Sequence, residues 1–169
     1  MNLIIREVES NSEEILAVKD FLYDQIMKEY GIGPTPKFHY DIEGIVDYYL
    51  LSDNNNFYIA LDDGEKIIAT AAIRAYDVDY ELFKGVYSKE DTASIWRLMV
   101  DKEYRRHGLA RKLVNIMEDF AKNAGYDKIY LHTHRYLDSG LPFWKSLGYQ
   151  ITIEEDDYDE TTHMVKYLR

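Results

Sequence analysis

The chain has 169 residues, 46% of them hydrophobic and 14% aromatic, which fits one domain over 1–169 with a buried core and excludes a disordered chain. It has no cysteine, so disulfide scaffolds, thiolate zinc sites and cysteine nucleophiles are excluded. A net charge of −11 disfavours nucleic-acid and anionic-membrane partners, and no apolar run approaches the ~20 residues of a membrane span. The opening residues lack the layout of a signal peptide, so a cytoplasmic location is expected.

Leu3 to Val8 reads as a short strand. A helix follows, capped by Ser10 with Glu13 or by Ser12, with Ile15, Val18, Leu22, Ile26 and Tyr30 at spacings of three and four. Gly31 ends it, and Gly33-Pro34-Thr35-Pro36 forbids its continuation. Asp41 is expected to cap a second helix whose inner face is Ile42, Ile45, Val46, Tyr49 and Leu50. Phe57–Leu61 and Lys66–Tyr76 read as strands joined through Asp63-Gly64, a hairpin signal.

Asp77–Asp91 is an acidic, aromatic loop, long enough to suggest function. Ala93–Val100 is an apolar strand, followed by a helix over Gly108–Ala124 with a stripe of Leu109, Leu113, Ile116, Phe120 and Ala124. A strand over Lys128–Thr133, a short helix around Pro142–Leu147, and strands over Tyr149–Ile153 and His163–Leu168 complete the order. The acidic run from Glu154 to Glu160 reads as a solvated hairpin tip. The order predicts an α/β fold, with a mixed sheet of about seven strands flanked by about four helices.

The charge is unevenly spread. Lys102, Arg105, Arg106, Arg111 and Lys112 face one anion, Glu103, within eleven residues, a local +4 that leaves −15 for the remainder. This island lies between a strand and a helix start, where unpaired N–H groups and the helix dipole favour an anion. Cations alone are unfavourable at that end of a helix, so their clustering points to a ligand. Neither a P-loop nor a Rossmann glycine pattern occurs.

Leu98-Met99-Val100 followed by Arg105-Arg106-His107-Gly108-Leu109-Ala110-Arg111 closely resembles the acetyl-CoA motif of the GNAT superfamily of N-acetyltransferases, [QR]-x-x-G-x-[GA], met by Arg105, Gly108 and Ala110. Pro142-Phe143-Trp144-Lys145-Ser146-Leu147-Gly148-Tyr149 looks like that family's later helix. The resemblance implies a splay between two central parallel strands, and direct transfer from acetyl-CoA to a primary amine of a small molecule or peptide. It implies backbone pairing of Leu98, Met99 and Val100 with the pantetheine arm, and pyrophosphate held by the amides of Arg106, His107, Gly108, Leu109 and Ala110. Arg105 and Arg111 would then be supporting cations, and Phe143, Trp144 and Lys145 complete the expected cofactor contacts. The acceptor is expected over the first two helices and the Asp77–Asp91 loop, whose acidity suits a cation.

Two positions depart from the family. Ser94 stands where many members have a Glu base, and Trp144 where many have a Tyr acid; neither residue replaces that chemistry unaided. Leu137, beside Asp138 and Ser139, stands where an Asn is often found. His134, at the end of its strand, is the residue favoured as base or water-holder, with Ser94 as the other catalytic candidate and His132, Tyr136, Tyr76 and Tyr80 nearby. His39, His107 and His163 look scattered, and no metal site is expected. The alternative is a CoA-binding sensor or partner-binding module with little transferase activity; a homodimer is left open.

Overall fold

The computed structural model describes residues 2–137 and 139–169, and Asp138 lies outside them. Seven strands form one sheet in the order β1-β2-β3-β4-β5-β7-β6. They are β1 (Ile4–Glu7), β2 (Asn56–Leu61), β3 (Ile67–Ala75), β4 (Thr92–Val100), β5 (Lys128–His134), β6 (Gln150–Glu154) and β7 (Thr161–Tyr167). The helices are α1 (Ser12–Tyr30), α2 (Pro36–Glu43), α3 (Leu109–Asn123) and α4 (Gly140–Ser146). The mixed sheet expected from the sequence is therefore present, antiparallel except where β4 runs parallel to β5. That parallel ladder pairs Thr92–Ser94 with Lys128–Tyr130, although β4 continues to Val100 and β5 to His134.

The chain divides into two compact units, one reaching Arg74 and including Trp96–Met117, the other made of Ala75–Ile95 and Glu118–Arg169. In the first, Val18, Leu22 and Ile26 of α1, Ile42 of α2, and Ile45 and Tyr49 beyond it pack with Phe57, Ile59 and Leu61 of β2 and Ala72 of β3. Burying such side chains contributes roughly 1.5–3 kcal/mol each. β2 is buried along its whole length, as is β3 apart from its end residues, so neither strand shows alternation.

Several local expectations are corrected. Asn11, rather than Ser10 or Ser12, caps α1, its side chain accepting from Glu14 N–H at 2.8 Å. Pro36 opens α2 instead of merely preventing helix: it occupies the first turn, where a missing N–H costs nothing. Asp41 is not a cap; it is completely buried near the end of α2, and the helical stretch after Gly44 is a separate wide turn over Val46–Leu50. On α3 the fully buried residues are Leu113, Val114, Met117 and Ala121, so the face is rotated from the expected Ile116 and Phe120, which are half-buried.

The second unit has its own aromatic cluster, in which Tyr76, Phe83 and Tyr130 are buried with Val78, Tyr80, Tyr87 and Ile153 against them. The Asp77–Asp91 loop supplies Phe83, Tyr80 and Tyr87 to it, so part of that loop is core. The acidic run forms the β6–β7 turn. There Asp157 accepts from Thr161 N–H and hydroxyl at 2.8 Å each, and Tyr158 is 98% exposed.

Candidate cofactor site

The segment between β4 and α3 begins with a short turn over Lys102–Tyr104, capped by Asp101, whose side chain accepts from Glu103 N–H at 3.0 Å. Tyr104 fixes this turn by donating to Asp62 at 3.0 Å. Arg105 is extended, Arg106 turns left-handed at φ 66°, and Gly108 does so again at φ 76°. From there α3 starts, with Gly108 C=O receiving its first helical bond, from Lys112 N–H at 3.1 Å.

Among the described residues the N–H groups of Arg106, His107, Gly108, Leu109 and Ala110 donate to no protein acceptor. These are the orphan donors that every helix start leaves, extended backwards by the two left-handed residues. A Cβ at Gly108 would meet nothing within 4 Å, so the main chain can be approached closely there. Leu109 is buried and anchors the loop, while Arg105, Arg106, His107, Gly108 and Arg111 are exposed. Arg105 is already engaged: its Nε donates to Val100 C=O at 2.9 Å and its guanidinium pairs with Glu29 of α1 at 3.3 Å. It ties the loop to α1 in the first unit.

Upstream, β4 contains an irregularity. Asp101 N–H donates to Ile68 C=O and Tyr76 N–H to Thr92 C=O, so nine steps along β4 (Thr92 to Asp101) match eight along β3 (Ile68 to Tyr76). One extra residue is the definition of a β-bulge. Arg97 sits in this stretch at φ 51°, left-handed without being glycine. Its Nε and one terminal nitrogen donate to Asp41 at 3.0 and 2.6 Å, the latter nitrogen also to Phe38 C=O at 2.8 Å. Thr70 donates its hydroxyl to Arg97 C=O at 2.7 Å.

Asp41 also accepts from the Tyr49 hydroxyl at 2.6 Å, and Tyr49 from Arg74 at 3.0 Å. The Arg74 guanidinium stacks 4.1 Å from the Trp96 ring. Burial works to raise the Asp41 carboxyl, but the Arg97 guanidinium, the Tyr49 hydroxyl and Arg74 outweigh it and hold the carboxyl below its ordinary range. None of this network was legible in the sequence.

The remaining candidates lie in the second unit. Ser94 is buried on β4, where its Cα partner on β5 is Tyr130. Trp144 is buried on α4 with its ring edge-on to Phe143 and Tyr149, and Lys145 is exposed. His134 shares a hydrogen bond between Nδ1 and Asp159 C=O at 2.8 Å; a carbonyl only accepts, so Nδ1 carries the proton.

His163 is not a stray residue. It is completely buried, with Nε2 against the Glu155 carboxylate at 2.8 Å and Nδ1 against the Tyr130 hydroxyl at 2.6 Å. Burial first, then neighbouring tyrosines and Glu155, push the Tyr130 phenol far above its usual range. Tyr130, His132 and His134 alternate along β5, and His132 faces His163 on β7, so strand period alone would have placed these groups on one face.

The backbone thus defines an α/β protein with a row of unpartnered N–H groups at a helix N-terminus, following a bulged strand. The model of the Acetyltransferase (GNAT) family matches residues 19–149, and the chain belongs to that family. Among curated relatives, human N-acetyltransferase 8 is 29% identical over 112 residues, 66% of this chain and 46% of that protein. Rat N-acetylaspartate synthetase is 26% identical over 120 residues, 71% and 36% respectively. The chain thus spans less than half the length of either.

An acetyltransferase of the GNAT family from Staphylococcus aureus Mu50 superposes with a TM-score of 0.78 at 20% identity, covering 99% of this chain and 100% of that one. The PaiA N-acetyltransferase from Thermoplasma acidophilum, solved in complex with coenzyme A, gives 0.71 at 18% identity, covering 99% of both chains. Among the described residues no helix is long and apolar enough to cross a membrane.

Proposed function

We propose that this chain moves an acetyl group from acetyl-CoA directly to a primary amine of a small molecule or peptide. The observation that carries this reading is the row of unpartnered N–H groups from Arg106 to Ala110, opening α3 beside an exposed glycine backbone. Five consecutive donors, with open space at the Gly108 Cβ position, suit a pyrophosphate, and the positive end of a 15-residue helix adds to the attraction. Arg106 and Arg111 flank the row as exposed cations; Arg105, held by Glu29 and Val100, shapes the loop.

Leu98, Met99 and Val100, partly exposed along β4 except for Val100, are proposed to pair with the amides of the pantetheine arm. Phe143, Trp144 and Lys145 enter the proposal as the α4 contacts. Trp144 N–H can donate a hydrogen bond to a developing thiolate but not a proton. For the acceptor, Ser94 lacks the basicity to deprotonate an ammonium, and His134, whose Nδ1 donates to Asp159 C=O, is the residue proposed as base or water-holder. Positioning of thioester and amine can supply up to ~7–11 kcal/mol of the barrier.

The test is thiol release from acetyl-CoA against a panel of primary amines, amino acids and peptides, alongside calorimetric titration with CoA. Saturable release with at least one acceptor is expected. Tight CoA binding with no release across the panel would favour a sensor, and no CoA binding would remove the cofactor assignment itself.

A further inference from the structure

We propose that Arg97, held by Asp41, is a positioning residue for the CoA-binding strand: the ion pair keeps the β4 bulge in its left-handed form, and that form aims the main chain of Leu98–Val100 at its ligand. The inference rests on the CoA reading above.

A non-glycine residue at φ 51° costs about 1–2 kcal/mol relative to an ordinary strand conformation. Such strain persists only where the surroundings over-determine it, and three contacts do so here. The guanidinium is locked on Asp41 through two nitrogens and on Phe38 C=O, and the Arg97 carbonyl is taken by the Thr70 hydroxyl. Asp41 is completely buried and the Arg97 side chain 13% exposed, so neither partner can be replaced cheaply by water. A bulge re-aims the ladder groups that follow it. Leu98 is the next residue, and an extended amide ligand reads a strand through its N–H and C=O groups. Relaxation of Arg97 to an ordinary φ would therefore turn the donors and acceptors of Leu98 and Met99 while leaving every side chain of the anion cradle in place.

Glycine separates geometry from charge, because it adopts the left-handed region without strain and carries no guanidinium. Two double variants are compared, Asp41→Asn/Arg97→Gly and Asp41→Asn/Arg97→Ala. Neither strands Asp41 without its partner, and they differ only in the Cβ at the bulge. CoA affinity is measured by calorimetry, with thermal melts as the fold control. The Gly form is expected to keep its CoA dissociation constant within about threefold of the unmodified chain and the Ala form to weaken it by about tenfold, the equivalent of ~1.4 kcal/mol. Amide shifts of Leu98 and Met99 on CoA addition should follow the unmodified chain in the Gly form alone.

Equal affinities in the two forms would overturn the positioning role, as would an equal loss in both, which would make the guanidinium itself the determinant. Should the double variants fail to fold, Thr70→Val, which removes the hydroxyl that holds the Arg97 carbonyl and leaves the ion pair intact, should still weaken CoA binding, and an unchanged dissociation constant there would overturn the inference. An unmodified chain that does not bind CoA would refute the cofactor reading and this inference with it, an outcome distinguishable because it appears before any substitution.

Discussion

Gly108→Glu tests the anion cradle most directly, and Gly108→Ala is its control. Gly108 has φ 76°, and its Cβ position faces nothing within 4 Å, so both substitutions carry the same backbone strain and neither clashes with the protein. That strain is about 1–2 kcal/mol, which for a chain of this size lowers the melting temperature by roughly 2–8 °C in both variants. Glutamate adds a negative charge among the donors from Arg106 to Ala110. Two like charges ~5 Å apart at an effective dielectric of ~20 repel by about 3 kcal/mol, a loss of at least ~100-fold in affinity for a pyrophosphate. Calorimetric titration with CoA gives the dissociation constant, and circular-dichroism melts show whether the two variants are equally folded. If Gly108→Glu binds CoA within threefold of Gly108→Ala while melting alike, the phosphate does not sit on this backbone.

Asp41→Asn strands Arg97 opposite an amide that cannot balance its charge, and should destabilise by about 3–5 kcal/mol, or roughly 6–20 °C in melting temperature. The Asp41 carboxyl is held below its ordinary value, so its contribution is fully present above the unfolded-state pKa near ~3.9 and is lost as pH falls through the lower folded-state value. Acid titration of stability should accordingly be flatter in Asp41→Asn below about pH 4 than in the unmodified chain. Gly31→Ala, at the left-handed position closing α1 with open space around its Cβ, should cost about 1 kcal/mol and lower the melting temperature by roughly 2–4 °C without changing CoA affinity. Glu118→Ala removes the acceptor shared by the Tyr149 hydroxyl at 3.0 Å and Lys166 at 3.0 and 3.1 Å, and leaves a buried phenol unpaired; a loss of about 1–3 kcal/mol in chemical denaturation is expected.

Fold class and loop were legible because both are written in local pattern. The apolar run of β4, the basic turn and the stripe of α3 follow each other within one strand–turn–helix unit, and Gly108 marks the point where a side chain would obstruct. The proline segment does end α1, but the second helix, expected to start at Asp41, starts at Pro36, because a proline that stops one helix also suits the first turn of the next. Asp41 misled because an acid before an apolar run has the form of a cap whether or not Arg97, 56 residues away, claims it. Glu155 was hidden in its acidic run, where five neighbouring acids are solvated or in turns and this one reaches a buried imidazole.

The same contrast explains the backbone of the candidate site. Three residues between the bulge and the start of α3 are left-handed, Arg97, Arg106 and Gly108, and only the last announces it by its identity. At Gly108 nothing in the protein stands near the Cβ, so the conformation is kept by the absence of a side chain, and glycine is the residue that reports such a position. At Arg97 the conformation is kept by distant partners, Asp41, Phe38 and Thr70, and a sequence does not display contacts made across the fold. A motif read from residue types therefore captures where a ligand can approach the main chain. The aim of that main chain at Leu98–Val100 depends on a buried ion pair the motif does not contain, and substitutions at Asp41 should be felt at a strand to which it contributes no residue.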